Sequence, residues 1–170
     1  MFTAIRLPVE VVADLTEFLD PHRTAHGELR WTADSRWHLT LEFLGQCGPH
    51  EVERQLSRWE VRSRRVEPMA LRVHGGGAFP HPWRAKVLWA GVDVDPDQWR
   101  RLAGFDQLPH VTVARTRGWA DVTGLVDSLS TYAGPTWTAS EICLMESHLR
   151  GSGDRGPRHE VVESYRLGRG

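Results

Sequence analysis

The chain has 170 residues, 25% of them charged and 40% apolar, with a formal net charge of −1. That length fits one domain, or two small halves around a shared interior, and allows a substantial buried core. The near-neutral charge leaves no electrostatic footprint for long nucleic acid, and no apolar stretch approaches a membrane span.

Cys47 and Cys143 stand alone, outside any C-x-x-C pair or disulfide framework, which fits a reducing compartment. Met1 to Leu7 lacks the basic and long apolar regions of a secretory signal. A cytoplasmic protein away from the membrane is therefore expected. Lys86 is the only lysine. Arginine suits bidentate phosphate contact and stacking on bases, although codon composition explains the bias as a whole equally well.

In chain order, Phe2 to Leu7 alternates as a short strand. Pro8 then opens a helix with Val9, Val12, Ala13, Leu15, Phe18 and Leu19 on one face, closed by Asp20-Pro21. Leu29 to Thr32 reads as a short extended segment and Arg36 to Leu44 as a strong strand. Pro49 starts a second helix, to about Trp59. Met69 to His74 and Lys86 to Val94 read as strands, with Gly75-Gly76-Gly77 to Trp83 as the loop between them. Pro96 to Leu102 is a short helix, and Pro109 to Ala114 is a strand ending at a Thr116-Arg117-Gly118 turn. Trp119 to Tyr132 is a helix with Val122, Leu125, Val126 and Leu129 inward. Trp137 to Leu149 and Glu160 to Leu167 are strands around a hairpin tip at Gly151 to Pro157. The recurrence of strand, helix, strand in both halves predicts a duplicated, bilobal α+β unit over residues 1–170. Two mainly antiparallel sheets would flank a central cleft, with helices outside.

Two of these strands carry the same signature, His-x-Thr. One is Trp37-His38-Leu39-Thr40-Leu41-Glu42-Phe43-Leu44-Gly45, and the other is Leu108-Pro109-His110-Val111-Thr112-Val113-Ala114-Arg115. Alternate side chains of a strand share a face, so His38 points with Thr40 and His110 with Thr112. Two such strands facing each other supply two proton-transfer groups and two hydroxyl donors, a kit for phosphate-ester chemistry without a metal. One copy alone is weak, since threonine favours strands and strand histidines are commonly structural.

Glu42 shares the predicted face of His38, either to orient the ring or as a solvated carboxylate. Phe43 and Arg115 each lie five residues beyond a motif histidine. Strict alternation puts them on the opposite face unless the strand twists or ends first. Trp37, Trp83 and Trp89 are candidates for base stacking or for packing. The other histidines, His22, His26, His50, His74, His81, His148 and His159, show no zinc-ligand spacing. The three-glycine run lacks the following helix and lysine of a phosphate-binding loop.

On these motifs the chain resembles the two-histidine phosphoesterase superfamily, and within it the RNA 2′,3′-cyclic phosphodiesterases, also called 2′-5′ RNA ligases. The opening Phe2-Thr3-Ala4-Ile5-Arg6-Leu7-Pro8 and the Phe79-Pro80 to Lys86-Val87-Leu88-Trp89-Ala90-Gly91-Val92 segment extend the resemblance over nearly the whole chain. It implies a bilobal fold with both motif strands lining a cleft. It also implies metal-independent opening of a 2′,3′-cyclic phosphate to a 2′-phosphate. In that likeness His110 is the base toward water and His38 the acid toward the 3′ oxygen. Thr40 and Thr112 donate to the phosphate, Arg115 contacts it, and Phe43 stacks on the base. No metal or cofactor is expected. The implied partners are RNA 3′ ends or nucleoside 2′,3′-cyclic phosphates, and the implied state is a monomer. Joining of RNA ends through a 2′-5′ linkage, and RNA-end binding without turnover, are the rival readings. The chain departs from the family in a shorter stretch between Val94 and Pro109 and in Arg36, where relatives often carry asparagine.

Overall fold

A computed structural model describes residues 1–104, 106–148 and 157–168. Its strands are β1 (Phe2–Arg6), β2 (Arg30–Trp31), β3 (His38–Phe43), β4 (Met69–His81), β5 (Arg84–Asp93), β6 (His110–Ala120), β7 (Ala133–Ala139), β8 (Glu141–His148) and β9 (Arg158–Arg166). Its helices are α1 (Val9–Ala25), α2 (Pro49–Ser63), α3 (Pro96–Ala103) and α4 (Thr123–Ser130).

The strands run in the order β7-β4-β5-β6-β3-β1-β8-β9, with β2 also paired to β6, and every pairing is antiparallel. Two four-stranded halves, each with a motif strand at its inner edge, join where Leu39 of β3 lies opposite Val111 of β6. The connections repeat: α1 follows β1 yet packs on β7 of the other half, and α3 follows β5 yet packs on β3. This crossing symmetry agrees with the duplicated unit expected from the sequence.

The helices cover one face of the sheet. Val11, Leu15 and Leu19 of α1, Trp59 of α2, Trp99 and Leu102 of α3, and Leu125 and Leu129 of α4 are all buried there. They meet Leu39, Leu41, Val111 and Val113 of the motif strands in one apolar cluster. Burying such side chains contributes about 1.5–3 kcal/mol each, so the odd-numbered motif residues anchor the seam. At the start of α3, Asp95 Oδ1 accepts from the amides of Asp97 and Gln98, with Pro96 behind it, satisfying donors that a helix end leaves open.

Several sequence expectations give way to the tertiary structure. α1 continues through Pro21 to Ala25, since a proline in the last turns costs one amide donor that the packed face outweighs. On that helix Val9 is exposed and Val11 takes the core position. The three glycines belong to β4, not to a loop. A Cβ on Gly77 would sit 2.4 Å from the Trp89 ring, and one on Gly76 2.7 Å from Leu129. The run is therefore a strand stripped of side chains so that an indole and a helix can lie against it. The Thr116-Arg117-Gly118 segment likewise stays in β6, held by Thr116 Oγ1 donating to the Ala85 carbonyl. As a result α4 starts only at Thr123. The tip expected at Gly151 to Pro157 falls outside the described residues except for Pro157.

Candidate active site

The seam pairing dictates the geometry of the site. With Leu39 opposite Val111 in antiparallel register, one step either way sets His38 level with Thr112 and Thr40 level with His110. Leu39 and Val111 point into the core, so the four motif side chains share the uncovered face. The two histidines are diagonal neighbours, a relation that spaces residues by about 7–8 Å. Neither threonine hydroxyl has a partner among the described residues, unlike Thr16 and Thr116, which bond to backbone carbonyls.

Each imidazole is held in the same way. His38 Nδ1 donates to the Arg36 carbonyl at 2.7 Å, and His110 Nδ1 to the Leu108 carbonyl at 2.8 Å. A carbonyl only accepts, so both rings carry their proton on Nδ1 and leave the Nε2 lone pair free. The acceptor at position 36 is main chain, which makes the arginine there compatible with the site. Burial pushes the His38 pKa down to about 4; His159 and His110 add repulsion, against the opposing pull of the Arg36 carbonyl. His110 is lowered too, by burial and then by the Arg115 guanidinium, while the Leu108 carbonyl opposes. Both imidazoles are thus neutral at pH 7 in the free protein.

Phe43 and Arg115 reach this face through a device the sequence does not announce. On β3 the pairing passes from Ala4↔Thr40 to Thr3↔Glu42, leaving Leu41 as an extra residue. On β6 it passes from Trp89↔Thr112 to Leu88↔Ala114, leaving Val113 extra. Each bulge sits three residues past its histidine and shifts the alternation by one. Leu41, Val113 and Ala114 all enter the core. Glu42 turns to the helix side, where Arg58 of α2 donates to its carboxylate at 2.7 and 2.9 Å. Glu42 therefore does not orient His38. Phe43 and Arg115 return to the histidine face, both exposed. The Phe43 ring lies 6.3 Å from Phe2, itself 4.9 Å from His38, and the Arg115 charge is felt at His110.

Aromatic rings flank both histidines. Phe79 meets His110 edge-on at 5.2 Å and lies 5.3 Å from Trp89. Of the tryptophans singled out in the sequence, Trp89 thus borders the site. Trp37 is buried core, and Trp83 stacks on His81 at the β4–β5 hairpin tip.

A family model described as LigT like Phosphoesterase matches residues 5–89. The chain belongs to the LigT-like phosphoesterase family. It is 26% identical to an RNA 2′,3′-cyclic phosphodiesterase of Methanothermobacter thermautotrophicus, with 98% of this chain and 97% of that one covered. It is 29% identical to one of Thermus thermophilus, covering 98% and 89%. Among solved structures, TT0787 of Thermus thermophilus superposes with a TM-score of 0.76 at 25% identity, covering 98% of this chain and 96% of that one.

This LigT-like phosphoesterase holds one further ring that sequence reasoning passed over. His159 of β9 meets His38 edge-on at 5.4 Å and Phe2 at 5.0 Å. It lies far from either motif in sequence and in no recognisable pattern. Its placement follows from β8 carrying β9 onto the β1 side of the sheet.

Proposed function

We propose that this phosphoesterase hydrolyses RNA-terminal or nucleoside 2′,3′-cyclic phosphates to 2′-phosphates, using His38 and His110 as its proton-transfer pair. The observation that carries the reading is the mirrored pair of Nδ1 locks, which leave two Nε2 atoms free on adjacent strands of one face. A cyclic phosphodiester opened in line needs a base on the entering water and an acid on the departing oxygen, on opposite sides of phosphorus. His110 Nε2 takes the proton of the water as its oxygen bonds to phosphorus. The bond from phosphorus to the 3′ oxygen breaks, and protonated His38 Nε2 gives its proton to that oxygen. Burial makes His38 the stronger acid of the two once charged, and the substrate's anion favours charging it. Thr40 and Thr112 donate to the non-bridging oxygens together with Arg115, and the exposed Phe43 ring stacks on the terminal base.

These groups supply the proton transfers and the charge stabilisation from the chain itself, so the reaction is read as metal-independent. The protein is read as a cytoplasmic monomer. No helix among the described residues is long and apolar enough to cross a membrane. The test is turnover of the four nucleoside 2′,3′-cyclic phosphates with separation of 2′- from 3′-monophosphate, with and without EDTA. The 2′-phosphate as product, unaffected by the chelator, is expected. Strong inhibition by EDTA, or full activity in His38→Ala or His110→Ala, refutes the mechanism.

A further inference from the structure

The strand that carries His110 does not stop at Arg115. Beyond it Arg117 and Trp119 alternate with the buried Thr116, so they stay on the histidine face. The neighbouring strand does the same by means of another bulge. β4–β5 pairing passes from Phe79↔Val87 to Pro80↔Ala85, leaving Lys86 extra. Ala85 is fully buried in the core, so Lys86 and Arg84 both fall on the face of Val87 and the site. Their positions agree: the Lys86 ammonium and the Arg84 guanidinium each lie 4.5 Å from the centre of the Trp119 ring. On the other side of β6, Arg30 of β2 pairs directly with Arg115.

Five cations and a half-exposed indole therefore form one row leading away from the catalytic pair. Like charges placed directly across a sheet are destabilising, yet Arg30 and Arg115 are so placed. None of the five cations is ion-paired with a carboxylate among the described residues. The nearby Asp121 is bonded instead to Thr123. In a chain of net charge −1 this is a local concentration of positive charge without internal compensation. Local conflict of that kind marks a surface shaped for a ligand. From Gly91, opposite His110, to Ala85, opposite Ala120, the site and the row together cover about 20 Å at the rise of a strand, the cations about half of it, which is more than one nucleotide occupies.

We propose that the row formed by Arg30, Arg84, Lys86, Arg115, Arg117 and Trp119 is a track for single-stranded RNA running 5′ from the terminal cyclic phosphate. This makes an oligonucleotide end, rather than a free nucleotide, the preferred substrate. The inference rests on the reading of the site given above. The backbone phosphates meet the cations in series, and a base stacks on the Trp119–cation pair, the combination that single-strand binders use.

The test compares a nucleoside 2′,3′-cyclic phosphate with an oligoribonucleotide ending in the same group, in the wild type, in R84S/R117S and in W119A. The wild type should favour the oligonucleotide in kcat/KM. Each variant should lose about tenfold or more on the oligonucleotide, with mononucleotide turnover and melting temperature unchanged. Fluorescence anisotropy with a labelled oligonucleotide ending in a 2′-phosphate should show a salt slope that shrinks by about 0.7 per phosphate contact removed. Equal loss on both substrates, no wild-type preference for the longer one, or polyglutamate competing as well as RNA overturns the track. If the wild type hydrolyses neither substrate, the reading of the site fails, and the anisotropy slopes alone then decide whether the track exists.

Discussion

Replacing His38 with asparagine should make the protein more resistant to acid. The Asn amide retains a donor for the Arg36 carbonyl but has no proton to gain. In the folded protein the His38 pKa is pushed down to about 4, while the unfolded chain titrates at 6.5. Between those values the unfolded state binds a proton that the native state refuses. Native stability is therefore whole above pH 6.5 and is lost as pH falls toward 4. A displacement of this size corresponds to about 3 kcal/mol by pH 4, a large share of the 5–15 kcal/mol typical of a domain. Urea unfolding followed by the fluorescence of the eight tryptophans, at pH 7, 6, 5 and 4, measures it. The carboxylates that also titrate there are common to both proteins and cancel in the comparison. His38→Asn should lose about 3 kcal/mol less than the wild type between pH 7 and pH 4. Parallel stability curves would show that His38 is not held neutral by its surroundings, and the account of the resting site would fall with it.

Alanine at His38 or His110 should reduce kcat on a nucleoside 2′,3′-cyclic phosphate by about a hundred- to ten-thousand-fold while the circular dichroism spectrum stays native. In the proposed mechanism the pair carries one proton between its two members. kcat/KM should therefore peak between about pH 4 and 6.5, falling above as that proton is lost and below as a second enters; a maximum near pH 8 would contradict this. Phe43→Ala should raise KM with melting temperature unchanged, because the ring is 74% exposed; a drop in melting temperature would make Phe43 a packing residue. Gly77→Ala should cost about 1–3 kcal/mol in urea unfolding and lower activity, because the new methyl must displace the Trp89 ring beside His110.

The candidate histidine pair was legible because its chemistry is written in local pattern. A histidine and a threonine two residues apart in a strand share a face in any fold, and the repeat of that pattern pointed to one site. The inward spacing of Leu125 and Leu129 in α4 was legible for the same reason. The three-glycine run misled because local rules treat glycine as a breaker. Its real cause is the Trp89 indole, a partner on the neighbouring strand, and so a contact that no window of sequence contains.

What the sequence by itself determined is the inventory and the alternation: two imidazoles, two hydroxyls, apolar residues between them, and an α+β chain built of matching halves. Tertiary structure alone decided the seam register at Leu39 and Val111, and the bulges at Leu41 and Val113. Those bulges exist because the paired strand is one residue short at each point. They turn Glu42 away and bring Phe43 and Arg115 to the histidines. The phase of a strand's side chains is a property of the pair, so neither strand's own residues specify where it changes.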